Sequence, residues 1–246
     1  GEKWEKMNAK VFPTVSTKDL VIHPREHDLV IGTFGRAAWV LDDIRPLRAL
    51  AQSPQLSTQK VHLFDPPTAY QSAYQQPTGS RFGADAMYHG ENRKRGAKFT
   101  FFFAPDQKEE KDGNAAKNQD ATKKKVNDSL TLNIYDGDRL IRTLKRKAPS
   151  TKGLHHWYWN MDEKGVARPS RKVRKMKREP SGVTVKPGVY RAEIVKGELS
   201  NSVSITVESD PRLSISEKAI NDRYAAAKHL EQFMGLSAQA VAQLTS

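Results

Sequence analysis

Leu130-Thr131-Leu132-Asn133-Ile134-Tyr135 alternates apolar and polar residues without a break, and Asp136-Gly137 follows it directly. Only a strand places successive side chains on opposite faces, and Asp-Gly between two such runs is a strong hairpin signal. The chain returns through Leu140-Ile141-Arg142-Thr143-Leu144. The same grammar recurs across residues 97–208. Lys98–Phe103 and His155–Trp159 have strand composition. Pro187-Gly188 turns into Val189–Val195, and Lys196-Gly197-Glu198 turns into Val203–Val207. Six strands separated by turn residues predict an antiparallel β-sandwich, and the chain as a whole is expected to be all-β.

Two segments interrupt that pattern. Residues 105–128 are Asp, Lys, Asn and Gln with almost nothing apolar, the composition of a solvated or disordered insert. Residues 163–182 form a basic loop. Upstream, Leu20–Ile22, Leu29–Thr33 and Ala37–Leu41 are short apolar runs parted by Pro24–Asp28 and Phe34–Arg36, which predicts a three-stranded meander. Three strands alone cannot bury both faces of a sheet. A short helix is expected at Arg45–Ala51 and a strand at Lys60–Phe64, with surface loop over residues 71–92. Downstream, Ser214-x-x-Glu217 is a capping box, and Ile220, Tyr224, Ala227 and Leu230 form one helical stripe. Gly235 is expected to end that helix, and Ser237 to cap a second. The resulting boundaries are residues 1–48 for the meander, 49–95 for a connector, 96–212 for the sandwich and 213–246 for the helical tail.

Several chemistries have no residues to support them. The absence of cysteine excludes disulfides, thiol nucleophiles, Cys-based zinc sites and iron–sulfur clusters. No apolar run approaches the roughly 18 residues of a helical membrane span. No phosphate loop, nucleophile elbow or dinucleotide fingerprint occurs, so no catalytic, cofactor-binding or metal-binding residue is assigned, and no cofactor is expected. His23-Pro24-Arg25-Glu26-His27 matches the H-x-x-E-H pattern, but that chemistry needs a helix, and this stretch has turn composition. Asp42-Asp43 is expected to close a strand and cap the following helix. Asp136, Asp138, Asp162, Glu163 and Glu193 are expected at turns or on a solvent-facing strand side. Trp157 and Trp159 share one face of their strand, where they either fill the core or stack on sugar rings, and the core is favoured.

The formal net charge of +13 is clustered. Lys164, Arg168, Arg171, Lys172, Arg174, Lys175, Lys177 and Arg178 follow one another with no acid among them. Arg139, Arg142, Lys145, Arg146, Lys147 and Lys152 form a second group. Such runs either bind anionic polymers or are solvated loops. Arg171, Lys172, Arg174, Lys175, Lys177 and Arg178 are the candidate anionic-partner loop. No aromatic residue interrupts that run, so it lacks the base-stacking feature of nucleic-acid modules.

Two stretches resemble a known family. Asp19–Arg25, Asp28–Arg36, Trp39–Ile44 and Pro46–Arg48 are similar to the final blade of sortilin-like, BNR (Asp-box) β-propellers of the putative glycosyl hydrolase type, with Phe34 where His is usual. Asp136–Arg142, Gly153–Asn160, Pro187–Tyr190 and Asp210-Pro211-Arg212 resemble the immunoglobulin-like (fibronectin III-like) domain of flagellar hook-capping type that follows such propellers. In that second match, Asn160 stands for the usual Asp and His155 for the usual Asn. No Asp-box occurs in the sequence. The opening Gly1-Glu2-Lys3-Trp4, without initiator Met or signal peptide, suggests an excised piece of a longer chain.

The resemblance implies an accessory region of a secreted or periplasmic protein, in which any glycosidase centre lies on blades outside this sequence. Its partners would be the upstream propeller and a glycan or anionic polymer. The alternative is a free-standing basic protein that binds nucleic acid or anionic polysaccharide.

Overall fold

The computed structural model describes residues 12–72, 93–105, 129–170 and 178–245. The chain divides into two units, Gly1–Gln55 and Leu56–Ser246.

In the first unit, β1 (Thr17–Ile22), β2 (Leu29–Thr33) and β3 (Ala38–Leu41) form the expected antiparallel meander. Register pairs Val21 with Val30 and Val30 with Val40, which puts a valine row on one face. Leu20, Ile22, Leu29, Ile31, Trp39 and Leu41 therefore lie on the other. Helix α1 (Arg45–Gln52) follows, with proline in its first turn, where its missing N–H costs nothing.

In the second unit, β4 (Val61–Leu63), β6 (Ala97–Phe103) and β9 (Gly153–Trp159) form one sheet, in the order β4-β6-β9. A five-stranded sheet runs β5-β13-β12-β7-β8, built from β5 (Ala69–Gln71), β7 (Ser129–Asp136), β8 (Arg139–Lys147), β12 (Gly188–Lys196) and β13 (Leu199–Ser209). Gly137 and Gly197 carry the positive φ values, 57° and 59°, of the two hairpin turns. Both sheets contribute to one buried cluster. Phe99, Phe101, Phe103 and Trp159 come from the smaller sheet, and Leu130, Leu132, Ile134, Ile194, Ile205 and Val207 from the larger. The Leu63 N–H donates to Asn201 Oδ1 at 2.7 Å, bonding the two sheets directly.

The expected connector is itself structural: β4 pairs with β6, and β5 pairs parallel with β13, so the larger sheet is mixed and not wholly antiparallel. Gln71, placed in a surface loop by composition, ends β5, and its side-chain amide donates to the Val185 carbonyl at 2.6 Å. The ends of the expected basic loop pair with each other as β10 (Asp162–Lys164) and β11 (Ser181–Thr184). The insert at 106–128 lies outside the described residues.

The tail also differs from expectation. It is one helix, α2 (Glu217–Thr245), running through Gly235. A Cβ on Gly235 would make only ordinary contact with Val166, at 3.5 Å, and the helix passes through this glycine without a break. Ser216, not Ser214, caps the helix, accepting from the Ala219 N–H at 3.2 Å. The inward stripe runs through Ile220, Tyr224 and Ala227 to buried Glu231, while Leu230 points to solvent.

Candidate functional site

The candidate anionic-partner residues Arg171, Lys172, Arg174, Lys175 and Lys177 lie outside the described residues, and Arg178 is exposed. The second basic group is partly structural. Arg139, Arg142 and Arg146 turn toward carboxylates, carbonyls and aromatic rings of the protein itself. Arg146 stacks over Trp157 at 4.5 Å and Phe101 at 5.0 Å and donates to the His156 carbonyl at 2.9 Å. Burial there pulls its pKa down. Lys145, Lys147 and Lys152 are exposed.

The densest polar site was not expected from the sequence. Met161, at φ 57°, breaks the chain between β9 and β10 and turns the following residues inward. Asp162 and Glu163, expected in solvent, are 4% and 5% exposed. Glu163 Oε1 accepts from Arg139 Nη2 at 3.0 Å and from Tyr224 Oη at 2.6 Å. Its Oε2 accepts from Arg139 Nη1 and from Lys228 Nζ, both at 3.2 Å. Lys228 Nζ also lies 2.5 Å from Glu231 Oε2, and Arg139 bridges to Asp136 at 3.0 Å. Burial pushes the Glu163 carboxyl up, but the hydrogen bonds from Arg139, Tyr224 and Lys228 outweigh it and hold the group below its ordinary value. Lys228 is shifted up: burial opposes its charge, and Glu231 and Glu163 more than offset that. Tyr224 is raised by burial and by its bond to the Glu163 carboxylate.

A second layer sits beside it. Buried Arg142 reaches Asp162 at 3.6 Å and donates to the carbonyls of Pro180, Glu163 and Glu179. Asp162 Oδ2 accepts from Ser181 Oγ at 2.5 Å, and the Asp162 carbonyl accepts from Trp159 Nε1 at 2.8 Å. Gly165 and Gly182 let β10 and β11 approach, since a Cβ on Gly165 would meet the Ser181 carbonyl oxygen at 2.3 Å.

Each Glu163 oxygen already has two donors, so the carboxylate has no lone pair aimed at a substrate and no free proton to give. The arrangement clamps α2 to β8 and β10. A pattern search misses it because Arg139, Glu163 and the Tyr224–Lys228 pair are far apart in sequence. An acid at the edge of a basic stretch is the one trace it leaves.

The remaining candidates resolve as structure. His23-Pro24-Arg25-Glu26-His27 is a turn, with the His27 N–H donating to the His23 carbonyl at 2.9 Å and the Glu26 N–H to His23 Nδ1 at 3.1 Å. Asp43, at φ 53°, receives the Arg45 guanidinium at 2.6 Å, and its own N–H donates to Asp28 Oδ1 at 2.9 Å. Trp157 and Trp159 are buried in the core, so they offer no platform to a sugar ring. No group of three or more His, Asp or Glu side chains among the described residues is placed to hold a metal ion. No helix among them is long and apolar enough to cross a membrane.

No protein-family model matches this chain, and no curated protein or solved structure does either.

Proposed function

We propose that this chain is the non-catalytic C-terminal accessory region of a secreted or periplasmic, sortilin-like Asp-box propeller protein, and that its main work is structural packing. The observation that carries this reading is the first unit's sheet. Both its faces are apolar, yet Leu20, Val21, Ile22 and Val40 are exposed. A sheet with two apolar faces is built to be covered on both, as a blade is by its neighbours.

The immunoglobulin-like reading of the second unit has its own support. Tyr190, two residues after Gly188, donates its hydroxyl to the Lys186 carbonyl at 2.7 Å, the bond of a tyrosine corner. Its ring meets Trp159 edge to face at 5.7 Å. The self-satisfied ion network and the buried tryptophan row favour packing over catalysis or sugar stacking. The inward commitment of Arg139, Arg142 and Arg146 also weakens the alternative of a free-standing binder of nucleic acid or anionic polysaccharide.

The test is amide hydrogen exchange on β1–β3, measured in residues 1–246 and in the product of the complete reading frame. The expected result is Asp-box repeats in the longer product and at least about tenfold slower exchange there. Equal exchange rates, or a reading frame without such repeats, would overturn the proposal.

A further inference from the structure

The outer face of α2 carries an unused recognition pattern. Ala226, Leu230, Phe233, Ser237, Ala240 and Leu244 alternate at spacings of four and three, the heptad seam of a coiled coil. All are exposed, with Leu230 at 68%, Phe233 at 65% and Leu244 at 87%. The seam lies away from Tyr224, Lys228 and Glu231, which face the body, so α2 can be clamped and still present it. The polar atom within the seam is already satisfied, because Ser237 Oγ donates to the Phe233 carbonyl at 2.8 Å.

The geometry points to a second copy of this chain as the occupant, bound antiparallel through α2. Laid antiparallel about a two-fold axis at Gly235, Leu230 faces Ala240, Phe233 faces Ser237 and Ala226 faces Leu244 of the other copy. Every layer sets a large side chain against a small one, the condition for interdigitation, and the contact is isologous and closed. A parallel in-register pair sets Phe233 on Phe233 and leaves Ser237 and Ala240 facing their own kind across gaps. Charge argues for the same partner. Residues 232–246 contain no ionisable side chain, in a chain of net charge +13. Two copies meeting anywhere on a basic surface repel each other, and this stretch is where they approach without like charges opposed.

The experiment is sedimentation velocity of the full 246-residue chain across a hundredfold concentration range. The expected result is a reversible monomer–dimer equilibrium that tightens as salt is raised, because the net charge is screened. Phe233→Asp, at an exposed position, weakens it at least about tenfold without moving the melting temperature read at concentrations where both proteins are monomeric. Orientation is read with cysteines, since the chain has none of its own. A mixture of Phe233→Cys and Ser237→Cys chains cross-links on oxidation faster than either alone. A monomer throughout, which leaves the seam to some other occupant, would overturn the proposal. So would a dimer indifferent to Phe233→Asp, or faster self-cross-linking of Ser237→Cys.

Discussion

Tyr224 Oη donates to Glu163 Oε1 across 2.6 Å, so a side chain on α2 and one on β10 share a bond over a sequence separation of 61. The same carboxylate holds Arg139 of β8 and Lys228 of α2. Four polar groups thus fasten the C-terminal helix where an apolar stripe ordinarily would.

Glu163→Gln keeps the shape of the side chain and removes its charge, leaving Arg139 and Lys228 around a neutral amide. Removing one partner of a buried pair usually costs about 3–5 kcal/mol, but Arg139 is half exposed and screened, so the expected loss is about 1–2 kcal/mol. Urea unfolding measures it. Equal midpoints for the two proteins would show that the clamp contributes nothing.

The same group sets an acid limit. The Glu163 pKa is lower folded than its ordinary value of 4.5. The unfolded chain therefore binds its proton first as pH falls. The stabilisation is fully present above the ordinary carboxylate range and is lost as pH falls through the lower, folded value. In Glu163→Gln, the decline in melting temperature below about pH 4.5 is expected to be shallower than in the parent protein. Identical acid profiles would place the dependence elsewhere.

Gly182→Ala tests the close approach beneath the helix. The new Cβ falls 2.7 Å from Glu231 Oε1, 2.7 Å from the Gly165 nitrogen and 2.8 Å from the Glu163 carbonyl oxygen. Two of these are backbone atoms and cannot swing away. Overpacking of this kind costs about 1–3 kcal/mol. Gly137→Ala lacks the contact, since nothing lies within 4 Å of its added Cβ. Its cost is the positive φ alone, about 1 kcal/mol. A thermal melt that ranks the two variants the other way round would contradict the packing argument.

The parts legible in the sequence were those written locally. The Leu130–Tyr135 alternation, Asp136-Gly137 and the turn at Pro187-Gly188 encode their strands and hairpins within a few residues. The alternation that puts Trp157 and Trp159 on one strand face also favours the core for them, and both are buried there. What failed depended on a neighbour. Gly235 has the composition of a helix stop, yet α2 runs through it, packed beside Val166. Asp162 and Glu163 look like solvent-facing acids because the cations that make their burial tolerable come from β8 and α2. Ala69–Gln71 joins a sheet only because β13 offers it a parallel edge. The clamp belongs wholly to this second kind, since no two of Arg139, Glu163 and Tyr224 share an element.

Tyr190 gives the last prediction, at alkaline pH. Burial, followed by the charges of Asp136 and Glu163, raises its pKa from 10.0 to about 12. The unfolded phenol ionises first as pH rises, so this contribution is fully present below about pH 10 and is lost on the way to 12. Tyr190→Phe keeps the ring against Trp159 and deletes the bond to the Lys186 carbonyl, which costs about 1–2 kcal/mol at neutral pH. The variant also has no proton to lose there. Its stability is therefore expected to fall less steeply than the parent's between pH 10 and 12, and the gap between the two proteins to narrow. Guanidinium unfolding at a series of alkaline pH values measures both effects. A gap that stays constant or widens would show that the hydroxyl is not held neutral by the fold.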